Sequence, residues 1–404
     1  MIYLDNSATS FPKAPGVAEA VFDHLNFKSA NSGRASYRAA QDSSRIIFDT
    51  REALASLFGV KNSSSVIFTA TATESLNTVI FGLVKNNNTV LTSEMEHNSV
   101  MRPLRYLEKR GMISLQKFRS FPDGSPDMDD YMNKLGDSPD IVISTGASNV
   151  NGIIFPYEKM AEAASERKII FILDAAQLAG NYPIDLSKSA VDLICFSGHK
   201  GLLGPTGTGA FIINGEISEL FKKSERVKES GNGRLVVHRE IFNFRPLKFG
   251  GTGSNSENEE QPDFLPDLFE SGTQNISGIS GLNRALQFII EIGIPNIRKK
   301  EEDTAEYFYS ELKSIKGIKI FSTGDFSKET GTISILPENI SISEMTYELD
   351  KRDICVRMGL HCAPSAHRLL GTFESGGTVR FSPGYFTTKE DIDMTVSALK
   401  EILL

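Results

Sequence analysis

Ser197-Gly198-His199-Lys200-Gly201 closes a mainly apolar run at 191–196, and Asp174-Ala175-Ala176-Gln177 closes another at 169–173. Both runs have the length and β-branched content of buried strands, and each delivers polar groups at its end. A lone lysine after a strand is ordinarily a solvated surface residue. An acid at one strand end beside a lysine at another is a different matter, because it suits pyridoxal phosphate (PLP). Lys200 would form the Schiff base, and Asp174 would keep the pyridine nitrogen protonated so that the ring accepts electrons.

Further strand-like runs at 66–68, 90–92 and 141–144 alternate with helical segments. The alternation predicts an α/β fold with a mostly parallel sheet. A stretch at 250–261 rich in Gly, Ser, Asn and Glu reads as an extended loop, and 279–292 has helical spacing. From residue 308 onward short strands and helices mix, as in a second, smaller domain.

With this architecture and these motifs the chain resembles the class V PLP enzymes of the aspartate aminotransferase-type fold (PLP-dependent transferase fold type I), within them the cysteine desulfurase and selenocysteine lyase branch. The resemblance runs from Tyr3-Leu4-Asp5-Asn6 to Tyr385-Phe386-Thr387-Thr388-Lys389-Glu390-Asp391. It implies a large PLP-binding α/β domain at 16–275, and a small α+β domain formed by 1–15 with 276–404. A charged segment at 222–245 looks longer than its counterpart in such enzymes.

Thr71-Ala72-Thr73-Glu74-Ser75-Leu76-Asn77 follows the strand at 66–68, and Leu76, Val79, Ile80 and Leu83 mark one apolar helix face. Thr71 with Glu74 fits a capping box. A helix that starts so offers free N–H groups to an anion. The resemblance implies Ala72 and Thr73 as phosphate contacts, with further donors from Ser197 and His199. It also implies that Thr273, in Ser271-Gly272-Thr273-Gln274-Asn275, and the loop Gly250-Gly251-Thr252 complete a neighbouring subunit's phosphate site, hence a homodimer.

Glu94-Met95-Glu96-His97-Asn98-Ser99 follows another strand and places His97 in a loop. By resemblance His97 stacks on the pyridine ring and shuttles protons. Gln177 would bond the ring hydroxyl, and Asn149 would contact the same side of the ring or the substrate. Without such company each would be a plain turn residue.

Arg357-Met358-Gly359-Leu360-His361-Cys362-Ala363-Pro364 is the second distinctive motif. It resembles the loop of desulfurases whose catalytic cysteine sits on a short, ordered segment, where a thiolate attacks sulfur and carries it as a persulfide. Cys195 and Cys355 lie in apolar strand-like runs and suit a packing role. His361, Cys362 and His367 have no fourth ligand nearby in the sequence, so no metal is expected. Arg380, in Thr378-Val379-Arg380-Phe381-Ser382, matches an arginine that clamps a substrate carboxylate, a task suited to a planar guanidinium. Arg357 is a further substrate contact or shapes the loop.

The activity so implied is conversion of L-cysteine to alanine with the sulfur left on Cys362. L-Selenocysteine fits the same route, and an acceptor protein for the persulfide is implied. Another class V aminotransferase, a carbon–sulfur lyase, or a non-catalytic sulfur-relay subunit are the alternatives. A lyase or aminotransferase would not need Cys362, and a relay subunit would not need Lys200 and Asp174. Composition agrees with a globular protein: 404 residues, 40% hydrophobic and 23% charged, with a net charge of −8 that argues against a general nucleic-acid or membrane-surface binder. The apolar Ile2-Tyr3-Leu4 is cut short by Asp5, so no leader is expected, and three cysteines suit a reducing compartment, the cytoplasm.

Overall fold

The computed structural model describes residues 1–32, 37–215, 244–254 and 257–404, and of 216–243 only the backbone of two strands. The charged segment at 222–245 therefore lies largely outside the described residues. Its two described strands, Val227–Glu229 and Leu235–Val237, form an antiparallel pair.

In chain order the strands are β1 Ile2–Tyr3, β2 Val66–Thr69, β3 Asn88–Ser93, β4 Ile113–Phe118, β5 Ile141–Thr145, β6 Ile170–Asp174, β7 Leu193–Ser197, β8 Gly209–Ile213, β9 Val227–Glu229, β10 Leu235–Val237, β11 Ile318–Phe321, β12 Ile333–Pro337, β13 Ile354–Cys355, β14 Arg357–Gly359 and β15 Thr378–Phe381. The α-helices are α1 Val17–Asp23, α2 Arg38–Leu57, α3 Ala72–Leu83, α4 Asn98–Lys109, α5 Met128–Gly136, α6 Tyr157–Glu166, α7 Ile276–Ile292, α8 Ile294–Leu312, α9 Ile342–Asp350, α10 Pro364–Leu369 and α11 Lys389–Ile402.

Seven strands form the main sheet in the order β2-β8-β7-β6-β5-β3-β4. All pairings from β7 to β4 are parallel, whereas β8 runs antiparallel to both its neighbours. A strand buried on both faces reads as a continuous apolar run, which is how Ile170–Asp174 reads. Its side chains nevertheless alternate. Phe171 and Leu173 join one core cluster with residues of α2, α6 and α7, while Ile170 and Ile172 join another with residues of α3 and α4.

A four-stranded antiparallel sheet, β11-β12-β15-β14, carries the C-terminal part. Its core combines Leu4 and Ile2 from the N-terminus with Phe308, Ile335, Phe381 and Leu399. β1 pairs in parallel with β13, so the first residues are laced into this unit. Helix α7 differs in allegiance: Ile279, Leu282, Leu286 and Ile289 pack into the core of the main sheet.

Strand β2 is tied to the segment after residue 244 by a buried ion pair. Arg51 of α2 reaches both carboxylate oxygens of Glu270 at 2.8 Å, and Glu270 also accepts the Phe68 N–H at 2.7 Å. That segment carries Thr273.

Candidate active site

The parallel strands end on one side, and the polar residues that end them converge there, the usual site for ligands in open α/β sheets. A cavity of about 160 Å3 is lined by Thr73, His97, Asn149, Asp174, Gln177 and Lys200, together with Ala72, Ser197 and His199. All candidate residues of the cofactor site except Thr273 thus meet in one place.

At one end stands the first turn of α3. Thr71 caps it, its hydroxyl accepting the Glu74 N–H at 3.1 Å. The capping box is only half made: Glu74 turns back to the Ala70 N–H, one residue before the cap, and pairs with Lys248. The Ala72 N–H donates to Ser197 Oγ at 2.9 Å, joining the helix start to the end of β7. Gly209 lets β8 approach closely here, since a Cβ on it would lie 2.9 Å from the Thr71 carbonyl carbon. Buried among the same residues, His199 Nδ1 has no partner among the described residues. Hydroxyls at a helix start and an unpartnered imidazole nitrogen suit a phosphate group.

At the other end Asp174 is buried, accepts the Ala176 N–H at 3.0 Å, and is register partner of Thr145 and Cys195. Burial raises its affinity for a proton, against the opposing effects of the Ala176 N–H and the Lys200 charge. Gln177 Nε2 donates to the Ser7 carbonyl at 3.2 Å. The N-terminal segment also covers Lys200's neighbour: the His199 carbonyl accepts from the Ser10 N–H at 2.9 Å and from Lys13 Nζ at 3.1 Å.

Lys200 lines the same cavity. Burial pushes its ammonium down to about 8, Asp174 works against that, and Arg380 and Arg357 reinforce it. It is thus a basic amine that gives up its proton near neutrality, suited to Schiff-base chemistry.

His97 is not simply a loop residue; it is the N-cap of α4. Its Nδ1 accepts the Ser99 N–H at 3.0 Å. Burial, then the Lys200 charge, hold its pKa down to about 4. The imidazole is therefore neutral at pH 7, and because Nδ1 accepts, the ring proton belongs on Nε2. Ser99 Oγ shares hydrogen bonds with His97 Nδ1 at 2.9 Å and with Thr73 Oγ1 at 2.7 Å, joining the N-cap of α4 to the first turn of α3.

Arg380 of β15 is buried and placed against Asn149, its terminal N–H donating to the Asn149 carbonyl at 2.8 Å. A second terminal nitrogen lies 2.7 Å from Asp5 Oδ1, and Nε is buried without a partner among the described residues. Arg357, directly opposite on β14, is more exposed and stands 3.8 Å from Asp5 Oδ2. Cys362 is exposed, on the connection between β14 and α10, and its carbonyl accepts the Asn98 N–H at 2.8 Å. Cys195 is wholly buried in β7, and Cys355 is half-buried in β13. His361 and His367 have their rings turned to other partners: His361 Nε2 is 3.0 Å from Thr378 Oγ1, and His367 Nδ1 is 2.7 Å from Thr372 Oγ1.

Thr273 does not reach this cavity within the chain. It lines a separate cavity of about 320 Å3 together with Gly251, Thr252, Arg51 and Glu270.

Two acids of the site are not legible as such in the sequence. Asp5 lies in the quoted N-terminal motif, but nothing in its spacing points to Arg380, which is 375 residues away. Glu96, next to His97, is fully buried; it accepts from Ser93 Oγ at 2.5 Å and the Thr145 N–H at 2.9 Å. Burial raises its pKa to about 8, so it holds a proton at neutral pH, and the nearby Asp174 charge adds to the effect. A Glu beside a predicted site histidine was the available signal.

The family model for class V aminotransferases matches residues 2–232 and 229–395, and the chain belongs to this family. Among similar proteins, a "probable cysteine desulfurase" of Pyrococcus abyssi is 29% identical over 410 residues, spanning 100% of this chain and 94% of the relative. A cysteine desulfurase of Haloferax volcanii is 28% identical over 407 residues, spanning 99% and 88%. The apo structure of a cysteine desulfurase from Thermococcus onnurineus superposes with a TM-score of 0.84 at 26% identity, covering 100% of this chain and 94% of that one. A cysteine desulfurase from Escherichia coli, at 23% identity and TM-score 0.81 over 100% and 94%, shares the fold. No helix among the described residues is long and apolar enough to cross a membrane.

Proposed function

We propose that this chain is a PLP-dependent cysteine desulfurase that converts L-cysteine to L-alanine and takes the sulfur onto Cys362. The observation that carries the reading is the placement of an exposed thiol on a short loop whose carbonyl is held by the Asn98 N–H, next to the ring-wall residue His97. An aminotransferase or a lyase that releases sulfide has no need of such a thiol.

The residues fit PLP by the chemistry of their donors. Lys200 would hold it, Asp174 would face the ring nitrogen and Gln177 the ring hydroxyl. His97 would stack on the ring, while Ala72, Thr73, Ser197 and His199 would surround the phosphate. When bound, the cofactor supplies an electron sink that makes the substrate Cα–H acidic.

The chain's own residues do the rest. Arg380 receives the α-carboxylate, and its unpartnered Nε is a donor already desolvated for that purpose. Lys200, as the free amine, takes the Cα proton. Neutral His97 presents an Nε2 proton to the reacting face. The Cys362 sulfur bonds the substrate sulfur while the substrate's Cβ–S bond breaks and leaves its electron pair with carbon. The proton given up by the Cys362 thiol ends on that carbon and Lys200 returns its proton to Cα, which gives alanine, and the enzyme carries a persulfide for an acceptor protein. L-Selenocysteine would enter by the same contacts.

The reading extends to assembly and place. Thr273 and Gly251-Thr252 line a cavity apart from Lys200, which supports a homodimer in which they complete a second copy's phosphate site. The domains are proposed at 16–275 and at 1–15 with 276–404, though α7 shares the core of the first. A cytoplasmic enzyme is proposed from its few cysteines.

The test is an assay of PLP-loaded protein with L-cysteine and L-selenocysteine, measuring alanine beside sulfide or selenide. Alanine formed with sulfur on the Cys362 peptide supports the reading. Transamination products, or free sulfide from a Cys362→Ser variant at the wild-type rate, overturn it.

A further inference from the structure

The loop that carries Cys362 is held in an unusual backbone conformation. His361 and Cys362 have φ values of 45° and 58°, both in the left-handed region that L-residues with a Cβ avoid. Two such residues in succession persist only where their surroundings fix them.

Two donors from outside the loop hold it, one on each carbonyl. The Asn98 N–H donates to the Cys362 carbonyl at 2.8 Å. The side-chain amide of Asn149 donates to the His361 carbonyl at 2.6 Å. The first donor belongs to the start of a helix. The second is a side chain on a buried residue that also touches the carboxylate clamp: the Asn149 carbonyl accepts from Arg380 at 2.8 Å. One residue therefore binds the guanidinium with its backbone and the cysteine loop with its side chain. His361 is further fixed by Thr378, two residues before Arg380 on β15.

We propose that Asn149 is a positioning residue that links occupancy of Arg380 to the placement of the Cys362 thiol. This rests on the reading of Arg380 as the carboxylate clamp and of Cys362 as the sulfur acceptor. A carboxylate arriving at Arg380 finds the buried Nε and takes up the donors that point away from Asn149 and Asp5. It thereby fixes the guanidinium against the Asn149 carbonyl. With its backbone so held, the Asn149 amide stays on the His361 carbonyl and the loop keeps its left-handed turn. An amine without an α-carboxylate would add nothing to the hold on that turn, so sulfur abstraction is tied to correctly bound substrate.

Substituting Asn149 by Ala tests the link, because it removes the amide donor and leaves the backbone carbonyl that Arg380 uses; since Asn149 also lines the cofactor cavity, L-alanine is added at saturation, as followed by the cofactor's visible spectrum. Amide hydrogen exchange of the PLP-loaded dimer, read by mass spectrometry on peptides spanning 358–364, reports the loop directly. L-Alanine, which carries the α-carboxylate and no sulfur, is the probe. In the wild type L-alanine slows exchange in this segment. In Asn149→Ala exchange without ligand is about fivefold faster, the fold-change expected from one net hydrogen bond, and L-alanine no longer slows it. Asn149→Leu keeps the branched shape and removes the donor without adding a charge, so it behaves likewise and serves if the alanine variant folds poorly. Wild-type exchange that ignores L-alanine, or a variant loop that exchanges and responds as the wild type does, overturns the proposal. Neither result depends on turnover, so failure of the desulfurase reading shows separately in the Cys362→Ser assay.

Discussion

The carboxylate of Asp5 lies 2.7 Å from the guanidinium of Arg380, so the N-terminal segment supplies the counter-charge of the buried residue that would bind a substrate carboxylate. Arg357, register partner of Arg380, shares the same carboxylate at 3.8 Å. One acid thus serves two guanidiniums, and the site keeps a positive surplus for an incoming anion.

Removing that acid should therefore act in opposite directions on stability and on binding. In Asp5→Asn the buried guanidinium loses its partner, and unfolding free energy should fall by about 3 kcal/mol. The local positive charge rises, so KM for L-cysteine should fall several-fold. Denaturation and steady-state kinetics measure the two effects; an unchanged KM would show that Asp5 does not compete with substrate for Arg380.

Lys200→Ala should abolish both the visible absorbance of the lysine-linked cofactor in the untreated protein and alanine formation. Borohydride reduction of the wild type followed by peptide mapping should place the cofactor on Lys200. A label on any other lysine overturns the assignment of the site.

Cys362→Ser should retain cofactor and the spectral response to L-cysteine, since Lys200, Asp174, His97 and Arg380 are untouched. Turnover to alanine should drop by a factor on the order of 100 or more, because a hydroxyl is poorly ionised and attacks sulfur weakly. After one turnover the extra sulfur should be found on the Cys362 peptide and not on those of Cys195 or Cys355.

Glu96 gives a pH signature. Its pKa is raised to about 8 in the fold, so between the ordinary carboxyl value and 8 the folded state holds a proton that the unfolded chain has released. The contribution is fully present below the unfolded value and is lost as pH rises through 8. Glu96→Gln should remove this dependence, so its melting temperature should gain on the wild type between pH 5 and pH 8 (test range ~5–8). Parallel melting curves across that range would place the Glu96 proton elsewhere.

The buried pair between Arg51 and Glu270 joins α2 and β2 to the segment bearing Thr273. Glu270→Ala leaves the guanidinium unpaired and should cost about 3–5 kcal/mol. If Thr273 completes a second copy's site, the same change should weaken the dimer, as sedimentation would report.

The sequence by itself determined the strands that are buried on both faces and the residues at their ends, because an unbroken apolar run has few places to go but the middle of a sheet. Asp174 and Lys200 were legible for that reason, as was Thr71 capping α3, since its hydroxyl acts within one helical turn. The residues from 279 to 292 were legible as a helix, but not their allegiance: an apolar stripe states that a face is buried and not which core buries it, and only the fold sets α7 against the main sheet. The tertiary structure alone brought Asp5 to Arg380 and the Asn149 amide to the His361 carbonyl. Those contacts join residues 375 and 212 positions apart. Polar contacts of that range leave no periodicity in the chain, because their partners are set by how two sheets pack and not by local backbone geometry. The left-handed turn at His361 and Cys362 is hidden for the same reason, since neither residue type asks for it and the surrounding donors impose it.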